Sequence, residues 1–393
     1  MKKQYLTWAN GVTAFSLALF FPGILVFIFR ENIGISINWS PINVGGIGAG
    51  IVIICRLLDL FDGWIARATN QVSDFGKWFD PFVDKIQVYV TLIALWSVVN
   101  KWLFWLMLAR DLTKTIVRSH GTCDIAARRS DKNKAVLQSV ALLPLGIGLL
   151  FNNPSYILLG NCFLGMAMIC GLIWLGKYSC QNPANGMTFL NFYCGIFATG
   201  LAIEGMFFLS IASIFLGAIA DNLDGRIARY LGTSDDGFGI LLDDYSDFMT
   251  FGIATGVLIA SYSSWGKGGL IISGIFISAV AGRLIHFTIN KDKTPRGFFA
   301  GIPSPAGAAI ICASILIGWN PSVILGIAIF ASILTLCFPI FWPHQSCFTA
   351  NETKLTIVAT FVVVVIFDSM AVAPAVLVAT YILFPLWKKP TTT

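Results

Sequence analysis

Residues 59–67 read DLFDGWIAR, and after eight further residues positions 76–84 read GKWFDPFVD. Much later in the chain the same design returns. Residues 221–229 read DNLDGRIAR, and after nine residues positions 239–247 read GILLDDYSD. Both copies fit DxxDGxxAR…GxxxDxxxD. Each begins at the end of an apolar run, so each places charged residues where a membrane helix meets water. Many positions recur at fixed offsets, which makes the repeat the organising feature of the chain.

Outward from these windows the sequence is a succession of apolar segments. They fall roughly at 10–29, 44–66, 80–99, 102–118, 135–151 and 155–176 in the first half. A second series falls roughly at 187–208, 209–228, 245–264, 268–288, 301–318, 322–342, 355–369 and 371–387. Runs of this length cross a hydrocarbon layer of about 30 Å as helices. Helices satisfy their own backbone there, so the expected fold is all-α. It is a polytopic membrane protein of two tandem bundles, with about six and eight transmembrane helices. Composition agrees: 56% of residues are hydrophobic and 12% charged, where a soluble domain carries about 25% charged. Asn182-Pro183-Ala184-Asn185-Gly186 reads as the junction, giving domains 1–181 and 182–393. Apolar sequence starts near Trp8 with no small-residue cleavage site after it, so the first helix is expected to stay as an anchor.

The net charge of +6 points to a membrane surface rather than to nucleic acid. Basic residues such as Lys2, Arg67, Lys85, Arg128, Lys177, Arg226 and Lys388 fall on one side of the expected topology. Arg30, Lys101 and Lys267 fall on the other. The positive-inside bias puts the first side, with both carboxylate windows, in the cytoplasm. Histidine is limited to His120, His286 and His344, which argues against a His-based zinc site or a Ser/His/Asp triad. The nine cysteines form no CxxC pair and read as small hydrophobes within a bundle.

The repeat carries chemistry because of its spacing. Asp59 and Asp62 are three apart, and Asp80 and Asp84 four apart, so each pair shares a helix face. Two such helices packed antiparallel bring four carboxylates together. Asp221, Asp224, Asp243 and Asp247 repeat the arrangement. Carboxylates in that number repel unless cations hold them. Oxygen ligands suit Mg²⁺ or Mn²⁺, and such an ion completes its shell with water and substrate phosphate. A diphosphate substrate is therefore implied. Gly63, Ala66 and Gly76 leave room beside the backbone, and Arg67 offers a planar fork to phosphate oxygens. Asp74, Asp235, Asp236 and Asp244 fall outside the pattern and read as solvated loop charges, and Asp368 as a turn residue.

DxxDGxxAR…GxxxDxxxD resembles the signature of the CDP-alcohol phosphotransferase family. The first half resembles phosphatidylglycerophosphate synthases, through Asp80-Pro81-Phe82-Val83-Asp84-Lys85 and through Ala109-Arg110-Asp111, Arg118, Gly121, Lys132, Lys134 and Gln138. The second half resembles membrane-bound phosphatidylserine synthases. Its matching stretches are Asn185-Gly186-Met187-Thr188-Phe189-Leu190-Asn191, residues 243–252 (DDYSDFMTFG), Arg283, and Phe299 to Pro305. The resemblance implies two divalent metals, Mg²⁺ or Mn²⁺, per active site. Asp59, Asp62 and Asp80 would be ligands, with Asp84 the general base that also touches metal. In the second half Asp221, Asp224 and Asp243 would be ligands and Asp247 the base. Gly63, Ala66, Arg67 and Gly76, with Gly225, Ala228, Arg229 and Gly239, would line the cytidine diphosphate site.

The substrates implied are CDP-diacylglycerol with glycerol 3-phosphate in the first half and L-serine in the second, releasing CMP. Arg110, Arg118, Lys132 and Lys134 are the candidate cations for glycerol 3-phosphate; positive-inside topology explains each taken singly equally well. Arg283 is the candidate for the serine carboxylate, because an arginine within an apolar helix usually has a task. The nine-residue spacer departs from the family's usual eight or so. Family members work as homodimers, so a homodimer and an internal pseudo-dimer both stay open, as does one half serving only as a structural partner or a different alcohol serving the first. A transporter with repeated halves is the alternative of another class. The expected setting is a bacterial inner membrane with active sites facing the cytoplasm.

Overall fold

The computed structural model describes residues 8–68, 74–119, 128–181, 183–232, 237–290, 298–338 and 341–343. The expected helices at 355–369 and 371–387 lie outside the described residues. Those that are described are overwhelmingly helical, as the apolar periodicity requires. In chain order they form α1 (Trp8–Ile28), α2 (Arg30–Ile37), α3 (Pro41–Ala68), α4 (Asp74–Ala94), α5 (Lys101–Ser119), α6 (Arg128–Leu150) and α7 (Pro154–Gln181). The second half follows with α8 (Pro183–Ile203), α9 (Phe207–Leu231), α10 (Gly237–Asp247), a π-helical segment Phe248–Ala254, and α11 (Thr255–Tyr262). It ends with α12 (Lys267–Asn290), α13 (Ser304–Leu316) and α14 (Pro321–Leu336). A three-residue antiparallel ribbon pairs Phe298–Ala300 with Phe341–Pro343.

Six of the described helices are long and apolar enough to cross a membrane: α1, α6, α7, α8, α9 and α12. The longest in the second half, α9, has 25 residues and spans about 37 Å. Large apolar side chains such as Phe208, Ile219, Ile271 and Ile285 are exposed along these helices, as lipid-facing residues are. This is an integral membrane protein.

Several boundaries differ from the sequence expectation, each for a physical reason. Four of the five residues of the proposed junction fall within α8. Pro183 through Gly186 are helical, since proline at the first helical position gives up only an N–H that has no intrahelical partner. Helices α4 and α10 begin at Asp74 and Gly237, six to eight residues earlier than hydropathy suggested. Polar residues are tolerated at the membrane boundary, so the apolar run starts after the helix does. Asp244 was expected in a loop. It is helical, and its Oδ2 accepts a hydrogen bond from Thr288 Oγ1 (3.1 Å).

The chain divides into two compact units, Met1–Leu108 with Cys123–Leu175, and Ala109–Thr122 with Gly176–Thr393. The division falls inside α5 and again inside α7. In the first unit α1 packs on α3 and α4, and α3 and α4 pack on α6. Its core gathers Leu92, Leu95, Met107, Leu145 and Leu164, all essentially inaccessible. In the second unit α8 packs on α9, on α10 and on the π segment, and α12 packs on α11 and α14. Phe251, Leu258, Phe276 and Ile311 lie at its centre.

Small residues and hydroxyls set how closely the second unit's helices approach. A Cβ on Gly195 would lie 2.8 Å from the backbone N and Cα of Thr250, and one on Gly217 would lie 2.8 Å from Asn191 Oδ1. Thr250 Oγ1 donates to the Asn191 carbonyl (2.8 Å), Ser213 Oγ to Cys194 (2.8 Å) and Ser210 Oγ to Ala198 (2.8 Å). Ser273 Oγ donates to Gly256 (2.6 Å). Bonds of this kind in membranes average about 0.6 kcal/mol each, too little to drive association. Their effect is to fix the register of α8 against α9 and the π segment, and of α12 against α11. Gly195→Ala is expected to force the Thr250 backbone away and destabilise the second unit by about 1–3 kcal/mol, read as a lowered thermal midpoint of the purified protein in detergent.

Candidate active site

The second half places its four motif aspartates on two adjoining helices. Asp221 and Asp224 lie one turn apart near the end of α9. Asp243 and Asp247 lie one turn apart on α10, Asp247 being its last residue before the π segment. The carboxylate oxygens of Asp221, Asp243 and Asp247 come within 4.8 Å of one another. Asp224 is buried, and its Oδ2 accepts a hydrogen bond from Thr188 Oγ1 on α8 (2.7 Å). Asn191, one turn further along α8, points its Nδ2 at Asp247 Oδ1 (3.4 Å). Ser246 is buried and donates to the Thr188 carbonyl (3.0 Å), tying α10 to α8 beside the cluster.

A cavity of about 840 Å³ opens over this cluster. Asp221, Asp224, Asp243 and Asp247 all line it, and so do Gly225 and Arg229. A Cβ on Gly225 would meet nothing nearer than the Arg229 guanidinium at 3.4 Å, so the backbone there is open to a ligand. Ala228 and Gly239, also expected at the nucleotide site, are not part of the wall. On a helix Ala228 is turned about 100° from Arg229. Arg283 of α12 lines the cavity and donates from its guanidinium to Ser304 Oγ (2.9 Å), with both residues buried. Its positive charge acts on Asp247. Pro303 and Pro305 complete that side.

These residues fit a divalent cation. Three carboxylates converge, and Asp243 Oδ1 is buried with no donor reaching it among the described residues. Hard oxygen ligands in such a group match Mg²⁺ or Mn²⁺. The Thr188 hydroxyl orients Asp224 in the way that surrounding hydrogen bonds orient metal-binding carboxylates.

In the first half, α3 carries Asp59, Asp62, Gly63, Ala66 and Arg67, and α4 carries Gly76, Asp80 and Asp84. Of these side chains Asp84 is described; those of Asp59, Asp62, Gly63, Ala66, Arg67, Gly76 and Asp80 lie outside the described residues. Asp84 Oδ1 pairs with Arg56 Nη2 at 2.6 Å. Arg56 also donates to Ser139 Oγ (2.6 Å) and Gln87 Oε1 (3.3 Å). Among the candidate acceptor-binding residues, Arg110 is buried and pairs with Asp111 (3.0 Å). It belongs to the second unit, while Lys134, also buried, belongs to the first. The side chains of Arg118 and Lys132 lie outside the described residues.

Sequence reading passed over Arg56 and the roles of Thr188 and Asn191. Two signals were present. Arg56 interrupts an apolar run, the criterion that selected Arg283. Asn10-Gly11-Val12-Thr13 in α1 repeats Asn185-Gly186-Met187-Thr188 in α8, so the duplication includes the helix before the aspartates.

Comparison with known proteins agrees with this arrangement. The CDP-alcohol phosphatidyltransferase family matches the chain twice, at residues 6–173 and 181–341. A CDP-diacylglycerol–serine O-phosphatidyltransferase from Helicobacter pylori is 30% identical over 135 residues, covering 34% of this chain and 56% of the relative. One from Methanocaldococcus jannaschii is 37% identical over 126 residues, covering 32% of this chain and 56% of the relative. A CDP-diacylglycerol–glycerol-3-phosphate 3-phosphatidyltransferase from Rickettsia bellii is 32% identical over 133 residues, covering 32% of this chain and 74% of the relative. The chain thus spans little more than half the length of the serine-type relatives it matches. With the motif in both halves, the carboxylates gathered on α9 and α10, and a family match to each half, the chain belongs to the CDP-alcohol phosphatidyltransferase family.

Proposed function

We propose that the chain is a two-site phospholipid-synthesis enzyme of the membrane, moving the phosphatidyl group of CDP-diacylglycerol onto a different small alcohol in each half. Residues 1–181 form the domain for glycerol 3-phosphate and residues 182–393 the domain for L-serine. CMP is the common leaving product. The observation that carries this reading is the gathering of Asp221, Asp243 and Asp247 oxygens within 4.8 Å, at a motif that the first half repeats. The serine- and glycerol-3-phosphate-type relatives supply the acceptor assignments. The charge bias of the loops supports a cytoplasmic orientation in a bacterial inner membrane.

In the second half Asp221, Asp224, Asp243 and Asp247 would hold the divalent ions, Mg²⁺ or Mn²⁺ and two per site, as Asp59, Asp62, Asp80 and Asp84 would in the first. Bound there, such ions supply positive charge to the diphosphate and its leaving oxygen. The rest falls to the chain's own groups. Gly225 leaves room for the nucleotide beside the helix, and Arg229 offers its guanidinium to phosphate oxygens, with Ala228 and Gly239 keeping the surroundings small. Gly63, Ala66, Arg67 and Gly76 have the same parts in the first half. Arg283 holds the serine carboxylate, fixed in place by Ser304. Asp247 takes the proton from the serine hydroxyl. That oxygen forms its bond to the phosphorus bearing diacylglycerol as the bond to the CMP oxygen breaks. Asn191 and Arg283 keep the Asp247 carboxylate turned to the cavity. In the first half Asp84 is the base, and Arg110, Arg118, Lys132 and Lys134 are the cations offered to glycerol 3-phosphate.

Four outcomes test this. Purified protein given CDP-diacylglycerol and Mg²⁺ or Mn²⁺ should release CMP with glycerol 3-phosphate and with L-serine. Asp247→Asn should lower the serine rate by about 10²- to 10⁴-fold, the scale of a lost general base, and spare the other; Asp84→Asn should do the reverse. Either variant leaving both rates intact would refute the site assignment. Chelation with EDTA should stop both reactions, and Asp221→Asn should raise the metal concentration needed to restore serine transfer. Arg283→Met should raise the KM for L-serine more than that for CDP-diacylglycerol.

A further inference from the structure

Arg56 stands three residues before the first motif aspartate of its half, as the last residue of the apolar stretch Pro41–Arg56 of α3. The matching position in the second half, three residues before Asp221, is Ala218. Both positions line the cavity of their own half. Ala218 borders the cavity over Asp247, and Arg56 borders a largely apolar cavity of about 700 Å³ together with Asp84. The same helical register therefore aims a guanidinium at the first site and a methyl group at the second.

An arginine side chain only 12% accessible is costly unless its charge is met. Here it is met by the residue proposed to take the acceptor's proton. Arg56 Nη2 lies 2.6 Å from Asp84 Oδ1, and the guanidinium is itself braced by Ser139 Oγ on α6 (2.6 Å) and Gln87 Oε1 on α4 (3.3 Å). Gln87 is in turn anchored to α1, where its Nε2 donates to Ser16 Oγ (3.1 Å). Groups of α4 and α6 thus converge on one planar fork, with α1 bracing Gln87 behind it, and the fork engages Asp84 Oδ1. The Asp84 side chain keeps 27% of its surface accessible, against 12% for Arg56, so the carboxylate rather than the cation faces open space. In the second half Asp247 has a different brace: the Asn191 amide at 3.4 Å and the Arg283 charge from α12.

We propose that Arg56 is the positioning residue of the first half, setting the orientation in which Asp84 meets the acceptor hydroxyl. The second half does this with Asn191 and Arg283. The proposal rests on the assignment of Asp84 as base to glycerol 3-phosphate.

The test compares Arg56→Met and Arg56→Lys in the full-length protein, with CMP release measured separately for glycerol 3-phosphate and for L-serine. Misplacing a reacting group by about 1 Å costs about 100-fold. Arg56→Met should therefore lower kcat with glycerol 3-phosphate by about 10- to 100-fold and leave its KM for glycerol 3-phosphate unchanged. Serine transfer by the same molecule should be unaltered. Arg56→Lys, which keeps the charge and loses the fork, should recover an intermediate kcat. In the Asp84→Asn background, Arg56→Met should lower the residual rate no further. An unchanged kcat in Arg56→Met overturns the proposal. So does a raised KM at constant kcat, which would make Arg56 a ligand of the acceptor. If Arg56→Met abolishes serine transfer as well, the chain has misfolded and Arg56→Lys decides: a wild-type kcat there overturns the proposal. Failure of the unsubstituted protein to release CMP with glycerol 3-phosphate would overturn the assignment of the first half itself, and this inference with it.

Discussion

Carboxylate repulsion is the constraint around which the second half is built. Two unit charges 4 Å apart interact by about 4 kcal/mol at the effective dielectric of a protein surface region, and Asp221, Asp243 and Asp247 present oxygens at about that separation. A cluster of this kind has to be held from outside. The fold does so with short polar groups shared by α8 and α10: Thr188 of α8 on Asp224, Asn191 of α8 on Asp247, and Ser246 of α10 on the Thr188 carbonyl. Close approach of α8 to α9 and to the π segment, where Gly195 and Gly217 leave no room for side chains, is what brings those short groups within reach. Packing and chemistry are therefore the same problem here. The helix that carries no aspartate is the one that sets the site.

The two halves share a plan and differ in its execution. Each begins with Asn-Gly-x-Thr, continues with DxxDGxxAR and turns into GxxxDxxxD. In the second half the last aspartate joins the carboxylate cluster and is faced by an amide. In the first, Asp84 meets Arg56, while Ser16 of α1 bonds to Gln87 rather than to an aspartate. An electrostatic contact that α12 supplies in one half is supplied by α3 in the other. Divergence of this sort keeps the aspartates at the same intervals on their helices while changing what surrounds them.

Spacing was therefore the legible part. The i,i+3 and i,i+4 intervals of the aspartates were enough to put them on common helix faces, and the length of the apolar runs was enough to give a helical membrane protein. Contacts between distant segments were not legible. Nothing about Ser139 announces a partner 83 residues away, and the pairing of Phe298–Ala300 with Phe341–Pro343 joins a stretch between two expected apolar segments to the end of a third. Asp244 was misjudged because loop and helix residues look alike at a membrane boundary. The short helix α2 was missed since eight residues of mixed polarity carry too little periodicity.

The wide turn after Asp247 bears on how a duplicated membrane enzyme can change length. Adding or deleting one residue in a straight α-helix rotates everything beyond it by about 100°, which in a bundle would swing a working side chain into lipid. A π segment holds one surplus residue per turn through i→i+5 bonding, and Phe248–Ala254 places that slack directly beneath the last aspartate. Small insertions and deletions further along α11 can be absorbed there as gain or loss of slack. The turn that carries Asp247 is thereby separated by a wider turn from the regular α-helical geometry of α11.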